Sequence, residues 1–252
     1  MSKTLLITGG ASGIGAATAH LAAQRGYKVA INYRSRDAQA KAIVADIEAR
    51  GGRAIALPGD MAREADILRL FEETEQALGP ITHLVNSAGI NGRRGRVDEY
   101  DASVLSNLFA TNVIGLMLCC REAAKRMSTK HGGKGGAIVN VSSMAATLGG
   151  RLGSSAYAAS KGAVDAFTKG FAREVASEGI RVNSLRPGMV LSEMTEARLK
   201  EPEFRAHIEA SIPMRRVGRS DEMAEAILWF LSDEASFVTG AMLDAAAGGY
   251  II

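Results

Sequence analysis

At residues 4–15 the chain reads TLLITGGASGIG, and this stretch decides the fold. Its first five residues, Thr4–Thr8, form a short apolar run that is typical of a strand buried on both faces. Glycines then break the strand, and the Ala-rich segment Ile14–Arg25 has the composition of a helix. The stretch therefore predicts a buried strand, a tight turn and a helix in direct succession.

The spaced glycines of this turn have separate structural roles. Gly9 permits the tight turn, Gly13 lets the backbone approach a pyrophosphate, and Gly15 lets the helix pack closely on the sheet. Free N–H groups at the start of a helix also favour the negative charge of a phosphate. Because the motif lies between a predicted strand and a predicted helix, it indicates a dinucleotide site rather than a simple turn.

The rest of the chain alternates short apolar runs with longer helical patterns. This rhythm predicts one α/β domain over residues 1–252, a three-layer Rossmann-type doubly wound parallel sheet with helices on both faces. The least regular segment, residues 189–218, is expected to cover a site. The predicted strands are Thr4–Thr8, Lys28–Tyr33, Arg53–Leu57, His83–Val85, Ala137–Ser142, Arg181–Arg186 and Ala241–Asp244. The predicted helices are Ile14–Arg25, Ala38–Ala49, Ala65–Ala77, Val104–Met127 and Ser155–Ala176.

Composition argues against several other classes of protein. The net charge is only +3, from 30 Lys+Arg against 27 Asp+Glu, so a nucleic-acid partner is not expected. Neither a secretory signal nor a membrane span is expected, because the first residues lack a long apolar stretch and no run of roughly 18 apolar residues occurs. The adjacent cysteines Cys119 and Cys120 argue against a disulfide framework and favour a reducing cytoplasm. The four histidines lack the spacing of metal ligands, so no metal is expected.

The end of the second predicted strand reads INYRSR at residues 31–36. An NAD site usually places Asp or Glu there to bond with the ribose 2′-hydroxyl, but this chain has Tyr33 followed by Arg34 and Ser35. A guanidinium and a hydroxyl suit a 2′-phosphate. We therefore expect NADP(H) to be the preferred cofactor, with NAD(H) still admissible. The alternative is that Arg34 and Arg36 are simply solvated residues at the start of a helix.

The second strong signal is the sequence YAASK, which begins at Tyr157 and ends at Lys161. On a helix these two side chains lie on one face, where an ammonium favours the phenolate and makes the tyrosine a usable acid or base. Upstream, Ser142 and Ser143 stand at the end of a predicted strand. Strand ends in such sheets face the ligand crevice, so a serine there is placed to bond with a carbonyl oxygen.

Together these features resemble the short-chain dehydrogenase/reductase family over essentially the whole chain. The resemblance implies NAD(P)-dependent interconversion of an alcohol and a carbonyl in a small molecule. It also implies a homotetramer, with a dimer as the alternative, assembled through the helices at Val104–Met127 and Ser155–Ala176. The matching motifs are Thr8-Gly9-x-x-x-Gly13-x-Gly15, Asn86-Ser87-Ala88-Gly89, Asn112, Ser143, Tyr157-x-x-x-Lys161 and Pro187-Gly188.

The resemblance also implies roles for individual residues. Tyr157 is the general acid/base, Lys161 lowers its pKa and holds the nicotinamide ribose, and Ser143 polarises the carbonyl. Asn112 holds a water that links Lys161 to solvent, and Asp60 bonds with the adenine. The expected cofactor-binding residues are Gly9, Ser12, Gly13, Ile14, Gly15, Tyr33, Arg34, Ser35, Asp60, Met61, Asn86, Ala88, Gly89, Tyr157, Lys161, Pro187, Gly188, Val190 and Ser192.

The chain departs from the family pattern at three places. Ser87 stands where the family often has Asn, and Ser192 stands where a Thr commonly bonds with the carboxamide. The separation between Ser143 and Tyr157 is one residue longer than usual, which indicates a loop insertion within Leu148–Ser155. Choosing Ser142 instead would lengthen the separation further.

The sequence leaves the substrate open, so a sugar, a quinone, a keto ester or an acyl carrier is admissible. One alternative is a 3-oxoacyl-acyl-carrier-protein reductase, for which Arg93, Arg94 and Arg96 would form a basic patch unless they are only an exposed polar loop. Arg215, Arg216 and Arg219 have the same ambiguity. Outside the enzyme class, the chain could be an inactive cofactor-sensing protein, but the complete set of expected catalytic residues argues against this.

Overall fold

The computed structural model of the chain describes residues 3–191, 195 and 199–249. In this part of the chain, seven strands form one parallel sheet in the order β3-β2-β1-β4-β5-β6-β7. Each predicted strand is present, with both ends within one residue of the prediction. The strands are β1 (Thr4–Thr8), β2 (Lys28–Tyr33), β3 (Arg53–Pro58), β4 (His83–Asn86), β5 (Gly136–Val141), β6 (Ile180–Pro187) and β7 (Met242–Ala245).

Helices cover both faces of the sheet and create two separate cores. On one face Ala19, Ile47 and Ile227 are buried against the sheet, and on the other Phe71 and Val164 are. The predicted doubly wound α/β fold is therefore confirmed. The helices are α1 (Gly13–Gln24), α2 (Asp37–Ala49), α3 (Glu64–Leu78), α4 (Ala102–Phe109), α5 (Leu116–Met127), α6 (Ala145–Leu148), α7 (Ser155–Val175), α8 (Pro202–Ser211) and α9 (Ser220–Leu231).

The order of the strands reverses beside β1, which has β2 on one side and β4 on the other. In such sheets the ligand crevice opens at the carboxyl ends of the strands at this point. The Thr8 hydroxyl at the end of β1 accepts hydrogen bonds of 3.2 Å from the N–H groups of Ser87 and Ala88. This holds the glycine turn against the segment that follows β4.

The long helix predicted at Val104–Met127 is present as one helical stretch, Ala102–Met127, although its α-helical pattern is interrupted. A π-helical turn, Ala110–Gly115, separates α4 from α5. A Cβ at Gly115 would collide with the Met61 carbonyl oxygen, so the helix backbone lies directly against the loop after β3. Single π-turns inside α-helices are frequent at functional sites.

The helical stretch Ala102–Met127 is also long and apolar enough to cross a membrane by length and composition, contrary to the expectation from the sequence. Its side chains Leu116, Cys119, Cys120 and Ala123 are buried in the core beside the sheet. Packing in the core accounts for the apolar character of these four side chains.

The described residues of the segment 189–218 have more regular structure than the sequence predicts. Val190 and Gly218 pair through an isolated parallel bridge, and the segment contains α8. Leu199, Ile208 and Val217 form a small apolar cluster of their own. These described side chains therefore pack against one another in the region that follows β6.

Candidate active site

The glycine turn after β1 has the conformation that the sequence predicts. Gly9 has φ +66° and Gly13 has φ +52°, a region that favours glycine. A Cβ at Gly15 would collide with the Gly9 carbonyl oxygen, so the first turn of α1 lies directly against the loop. Ser12 precedes this helix without capping it through its side chain, and the first turn has no acidic residue. The helix N-terminus therefore fits a pyrophosphate.

Asn32 braces this turn, although the sequence analysis did not single it out. Its backbone oxygen accepts a 2.8 Å hydrogen bond from the Gly10 N–H, and its side-chain amide donates a 3.0 Å hydrogen bond to the Gly59 carbonyl. Its side-chain oxygen also accepts from the Gly9 N–H at 3.4 Å. The signal that could have revealed it is an amide residue inside an otherwise apolar buried strand, where polar groups need partners.

The end of β2 presents Arg34 and Ser35 as exposed side chains. Tyr33, which stands in the place of the usual acid, donates a 2.6 Å hydrogen bond from its hydroxyl to Asp37. Asp37 also pairs with Lys41 at 2.8 Å. Both contacts lower the pKa of the Asp37 carboxyl. The nearest carboxylate in sequence is therefore already engaged with protein partners.

The loop after β3 carries Asp60 and Met61. The Asp60 carboxylate accepts a 2.9 Å hydrogen bond from the Ala62 N–H, and the Asp60 N–H donates 2.9 Å to Asp66. Met61 is buried, and its sulfur lies 3.9 Å from the Cys119 sulfur. The loop is thus fixed between α3 and α5 at the edge of the crevice.

The segment after β4 combines a buried amide with two small residues. Asn86 donates 2.9 Å to the Asn140 side-chain oxygen, whereas its own side-chain oxygen has no recorded partner. Gly9 packs so closely here that a Cβ on it would lie 2.8 Å from the Ala88 Cα. A Cβ on Gly89 would lie 3.5 Å from the Lys161 Nζ. The segment therefore connects the glycine turn with the proposed catalytic lysine.

Tyr157 and Lys161 lie one turn apart on α7, as the sequence predicts. The Lys161 Nζ is 5.8 Å from the centroid of the Tyr157 ring and donates a 2.8 Å hydrogen bond to the Val141 carbonyl oxygen. Tyr157 shares a hydrogen bond with the Ser143 side chain. Ser142 instead donates 3.2 Å from its buried hydroxyl to the Lys161 carbonyl oxygen. Of the two candidate serines, Ser143 faces the tyrosine and Ser142 braces the helix.

Burial dominates the titration of both groups. It raises the pKa of the Tyr157 phenol above its ordinary value, and the hydrogen bond with Ser143 acts in the opposite direction. Burial lowers the pKa of the Lys161 ammonium to about 8, against an opposing effect of Asp165. The role of Lys161 in lowering the pKa of Tyr157 stays a prediction.

Asn112 lies in the π-helical turn and joins three parts of the site. Its side chain accepts a 2.8 Å hydrogen bond from the Ile90 N–H and donates a 2.9 Å hydrogen bond to the Ile90 carbonyl. It also donates 3.1 Å to the Ser160 hydroxyl on α7. Asn112 therefore fixes the loop after β4 beside the helix that carries Tyr157, and its water-holding role stays a prediction.

The end of β6 closes another side of the crevice. The Pro187 carbonyl accepts 3.0 Å from the Met144 N–H, and the Gly188 N–H donates 3.0 Å to the Ala245 carbonyl. Val190 is buried. The predicted carboxamide partner Ser192 lies outside the described residues.

Two loops meet at the mouth of the site. The Gly95 N–H donates 3.1 Å to the Gly153 carbonyl, and the Arg94 Nε donates 3.3 Å to the Ser154 hydroxyl. Gly149, Gly150 and Gly153 all have positive φ, which fits a turn-rich insertion within Leu148–Ser155. This glycine loop forms one wall of the mouth.

The candidate basic patches differ in how their charges are used. Arg93 and Arg94 are exposed on the loop after β4, and Arg96 pairs with Asp98 at 3.0 Å. In the second group, Arg216 pairs with Glu222 at 2.6 Å and Arg219 pairs with Asp221 at 2.9 Å, while Arg215 bonds with the Ala210 carbonyl. The first group therefore has more charge available for a partner.

A family model and several known proteins match nearly the whole chain. The family described as enoyl-(acyl carrier protein) reductase matches residues 9–250. The chain is 46% identical to the uncharacterized oxidoreductase YgfF of Escherichia coli (strain K12), covering 96% of this chain and 98% of that protein. It is 40% identical to a 3-oxoacyl-[acyl-carrier-protein] reductase of Rattus norvegicus, covering 96% of each.

A solved structure has the same fold. A short-chain dehydrogenase from Burkholderia cenocepacia J2315, in complex with NADP, superposes with a TM-score of 0.89 at 32% identity, covering 98% of this chain and 97% of that one. From the likeness in sequence and structure over nearly its whole length, the chain belongs to the short-chain dehydrogenase/reductase family, NAD(P)-dependent oxidoreductases of alcohol and carbonyl groups.

Proposed function

We propose that this oxidoreductase prefers NADP(H) and that Tyr157 exchanges the proton with the substrate oxygen. The observation that carries the proposal is the contact of Tyr157 with Ser143, with Lys161 one helical turn away. Ser143 comes from the loop after β5, and Tyr157 and Lys161 come from α7. They converge at the carboxyl end of the sheet, where the fold opens its ligand crevice.

In this mechanism Ser143 donates a hydrogen bond to the substrate carbonyl, which draws charge toward its oxygen. The Tyr157 hydroxyl then gives its proton to that oxygen during reduction and removes it during oxidation. A bound NADPH supplies the hydride. Lys161 stays charged beside the tyrosine and stabilises the phenolate left after proton transfer.

The cofactor proposal follows from the groups around the glycine turn and the end of β2. The uncapped N-terminus of α1 suits the pyrophosphate. The exposed Arg34 and Ser35 suit a 2′-phosphate, because a guanidinium forms charge-assisted bonds with it. The Asp37 carboxylate is engaged by Tyr33 and Lys41, which disfavours its use on the ribose hydroxyls of NAD. The likeness to a structure in complex with NADP supports the same preference.

The second candidate is reduction of a 3-oxoacyl group on an acyl carrier protein. The Rattus norvegicus relative has this activity in its name, and the exposed Arg93 and Arg94 lie on a loop that meets the glycine loop at the mouth of the site. Acyl carrier proteins are acidic, so a basic rim would favour their approach. A free carbonyl compound of low molecular weight is the first candidate.

For assembly and location, we propose a homotetramer in the cytoplasm, with a dimer as the alternative. Four large apolar side chains are exposed on one chain: Ile114 on the π-helical turn, Trp229 on α9, Phe237 before β7 and Leu243 on β7. Such side chains are candidates for burial between subunits. Cys119 and Cys120 are free, buried thiols, in keeping with a reducing compartment. Light scattering should give a multiple of the 26.5 kDa chain mass, and a monomer at micromolar concentration would contradict the assembly.

The experiment is to follow NADPH oxidation by the purified protein with a panel of carbonyl compounds. The panel should contain a keto ester, a quinone, an oxidised sugar and a 3-oxoacyl thioester, the last offered both free and on an acyl carrier protein. Turnover of at least one compound supports the function. A large preference for the carrier-bound thioester, reduced by Arg93→Ala and Arg94→Ala, would favour the second candidate. No turnover with any compound would contradict both.

A further inference from the structure

A line of four charged side chains with alternating sign runs from the proposed catalytic lysine to the edge of the sheet. Asp165 follows Lys161 by one turn of α7, and its carboxylate accepts 2.7 Å from the Arg186 Nε. Another guanidinium nitrogen of Arg186 donates 3.2 Å to Asp244 on β7. Asp165 is only 6% exposed. Its burial places this ion pair inside the protein, where charges need partners.

This line of charges ties three elements together beside the site. Ser184 on β6 donates a further hydrogen bond of 3.2 Å to Asp165. Arg186 directly precedes Pro187 and Gly188 on the same strand. Asp165 therefore holds the end of β6 against the helix that carries Tyr157.

Asp165 also bears on the charge of Lys161. Burial lowers the pKa of the Lys161 ammonium to about 8, and Asp165 opposes that lowering. The charged or titratable groups recorded near it are Tyr157 and Asp165 on α7, with Arg186 of β6 behind Asp165. The other recorded neighbours are neutral: the Val141 carbonyl oxygen on β5 and Gly89 after β4.

We propose that Asp165 is a positioning residue of the reaction, which compensates the charge of Lys161 and, through Arg186, fixes Pro187–Gly188 beside the catalytic helix. This inference rests on the proposed function. Asp165 acts through these neighbours and has no contact of its own with the substrate. The sequence motifs include neither Asp165 nor Arg186.

If Asp165 compensates the charge of Lys161, substitutions of Asp165 and of Arg186 should move the alkaline limb of the pH profile in opposite directions. Asp165→Asn keeps the shape of the side chain but removes the anion that opposes the lowering of the Lys161 pKa, so Lys161 loses its proton at lower pH. The alkaline limb of carbonyl reduction, where charged Lys161 is needed, should move by about one pH unit or more toward acid. Arg186→Met removes the competing cation and should move the limb toward alkali. The double variant should return it close to the wild-type position.

The measurement is kcat/KM for carbonyl reduction between pH 6 and 10 in the four proteins, with Asp244→Asn as the matched control at the exposed end of the line. The proposal is supported if the alkaline limb moves in opposite directions in the two single variants. It should also lie near the wild-type position in the double variant and move little in the control. Limbs that coincide in all proteins, or that move in the same direction in both single variants, overturn it even if every variant is slower.

A second readout needs neither cofactor nor turnover. Loss of Asp165 should increase the cost of burying the charged Lys161. At pH 7, Lys161→Met should therefore raise the midpoint of thermal unfolding more in the Asp165→Asn background than in the wild type. Equal increases in both backgrounds would overturn the charge compensation. If the wild type reduces no carbonyl, the proposed function fails, whereas this comparison still decides the inference.

Discussion

Asn112 and Ile90 are joined by two reciprocal hydrogen bonds. The Asn112 side-chain oxygen accepts 2.8 Å from the Ile90 N–H, and the side-chain nitrogen donates 2.9 Å to the Ile90 carbonyl. The amide thus pairs with the backbone of the loop as a neighbouring strand would. Through its third bond, to Ser160, it couples this loop to α7.

Asn112→Ala should therefore destabilise the protein and slow its turnover. The substitution leaves the Ile90 N–H and carbonyl without their partner, and a buried polar group left unsatisfied costs about 1–3 kcal/mol. We expect the free energy of unfolding in urea to fall by about 2 kcal/mol. Asn107→Ala, at an exposed position of α4, is the matched control and should change little. Equal stability of the two variants would show that the Ile90 contacts contribute nothing.

Arg34→Ala should remove most of the preference for NADPH over NADH. A charge-assisted hydrogen bond to a phosphate contributes about 1.5–3 kcal/mol, which corresponds to roughly 10- to 150-fold in affinity. The measurement is kcat/KM for both cofactors in the wild type and the variant, with Arg50→Ala on the far end of α2 as the control. The value for NADH should hardly change. A wild type that uses both cofactors equally would refute the proposed role of the end of β2.

His83 should make the protein sensitive to mild acid. Burial is the main cause that lowers the pKa of its imidazole from 6.5 to about 4. The unfolded chain therefore binds the proton more readily, so the stability contributed by neutral His83 is fully present above pH 6.5. It is lost as the pH falls toward 4, by at most about 3 kcal/mol.

The ring centroids of His83 and Tyr27 lie 5.1 Å apart in an edge-to-face contact. His83→Phe keeps a ring at this place but cannot take up the proton. Its unfolding midpoint should fall less steeply between pH 6.5 and 4 than that of the wild type. The exposed His207→Asn variant should follow the wild type. An unfolding midpoint that falls equally with pH in His83→Phe and the wild type would contradict the prediction.

The elements of the fold could be predicted because their signals are local. A strand such as β5 is recognisable from its continuous apolar run, since strands of a parallel sheet are buried on both faces. The glycine turn was also predictable, because Gly9 and Gly13 need a conformation that other residues avoid. Contacts between distant segments had no such signal.

Several features of the site depend on those distant contacts. The π-helical turn follows from the close approach of Gly115 to Met61, which are 54 residues apart in the sequence. The different orientations of Ser142 and Ser143 follow from how β5 meets α7. Asp165 and Arg186 form a pair only because β6 lies beside that helix. Helical periodicity and strand alternation record none of these relationships.

The most direct test of the account compares the wild type with Tyr157→Phe in the reduction of a substrate found in the carbonyl panel. The substitution removes only the phenolic oxygen, and a general acid typically contributes about 10²- to 10⁴-fold to the rate. We predict that kcat falls by at least about 100-fold, because the variant lacks the proton that the phenol supplies to the substrate oxygen. A Tyr157→Phe enzyme with near-normal kcat would contradict the central claim.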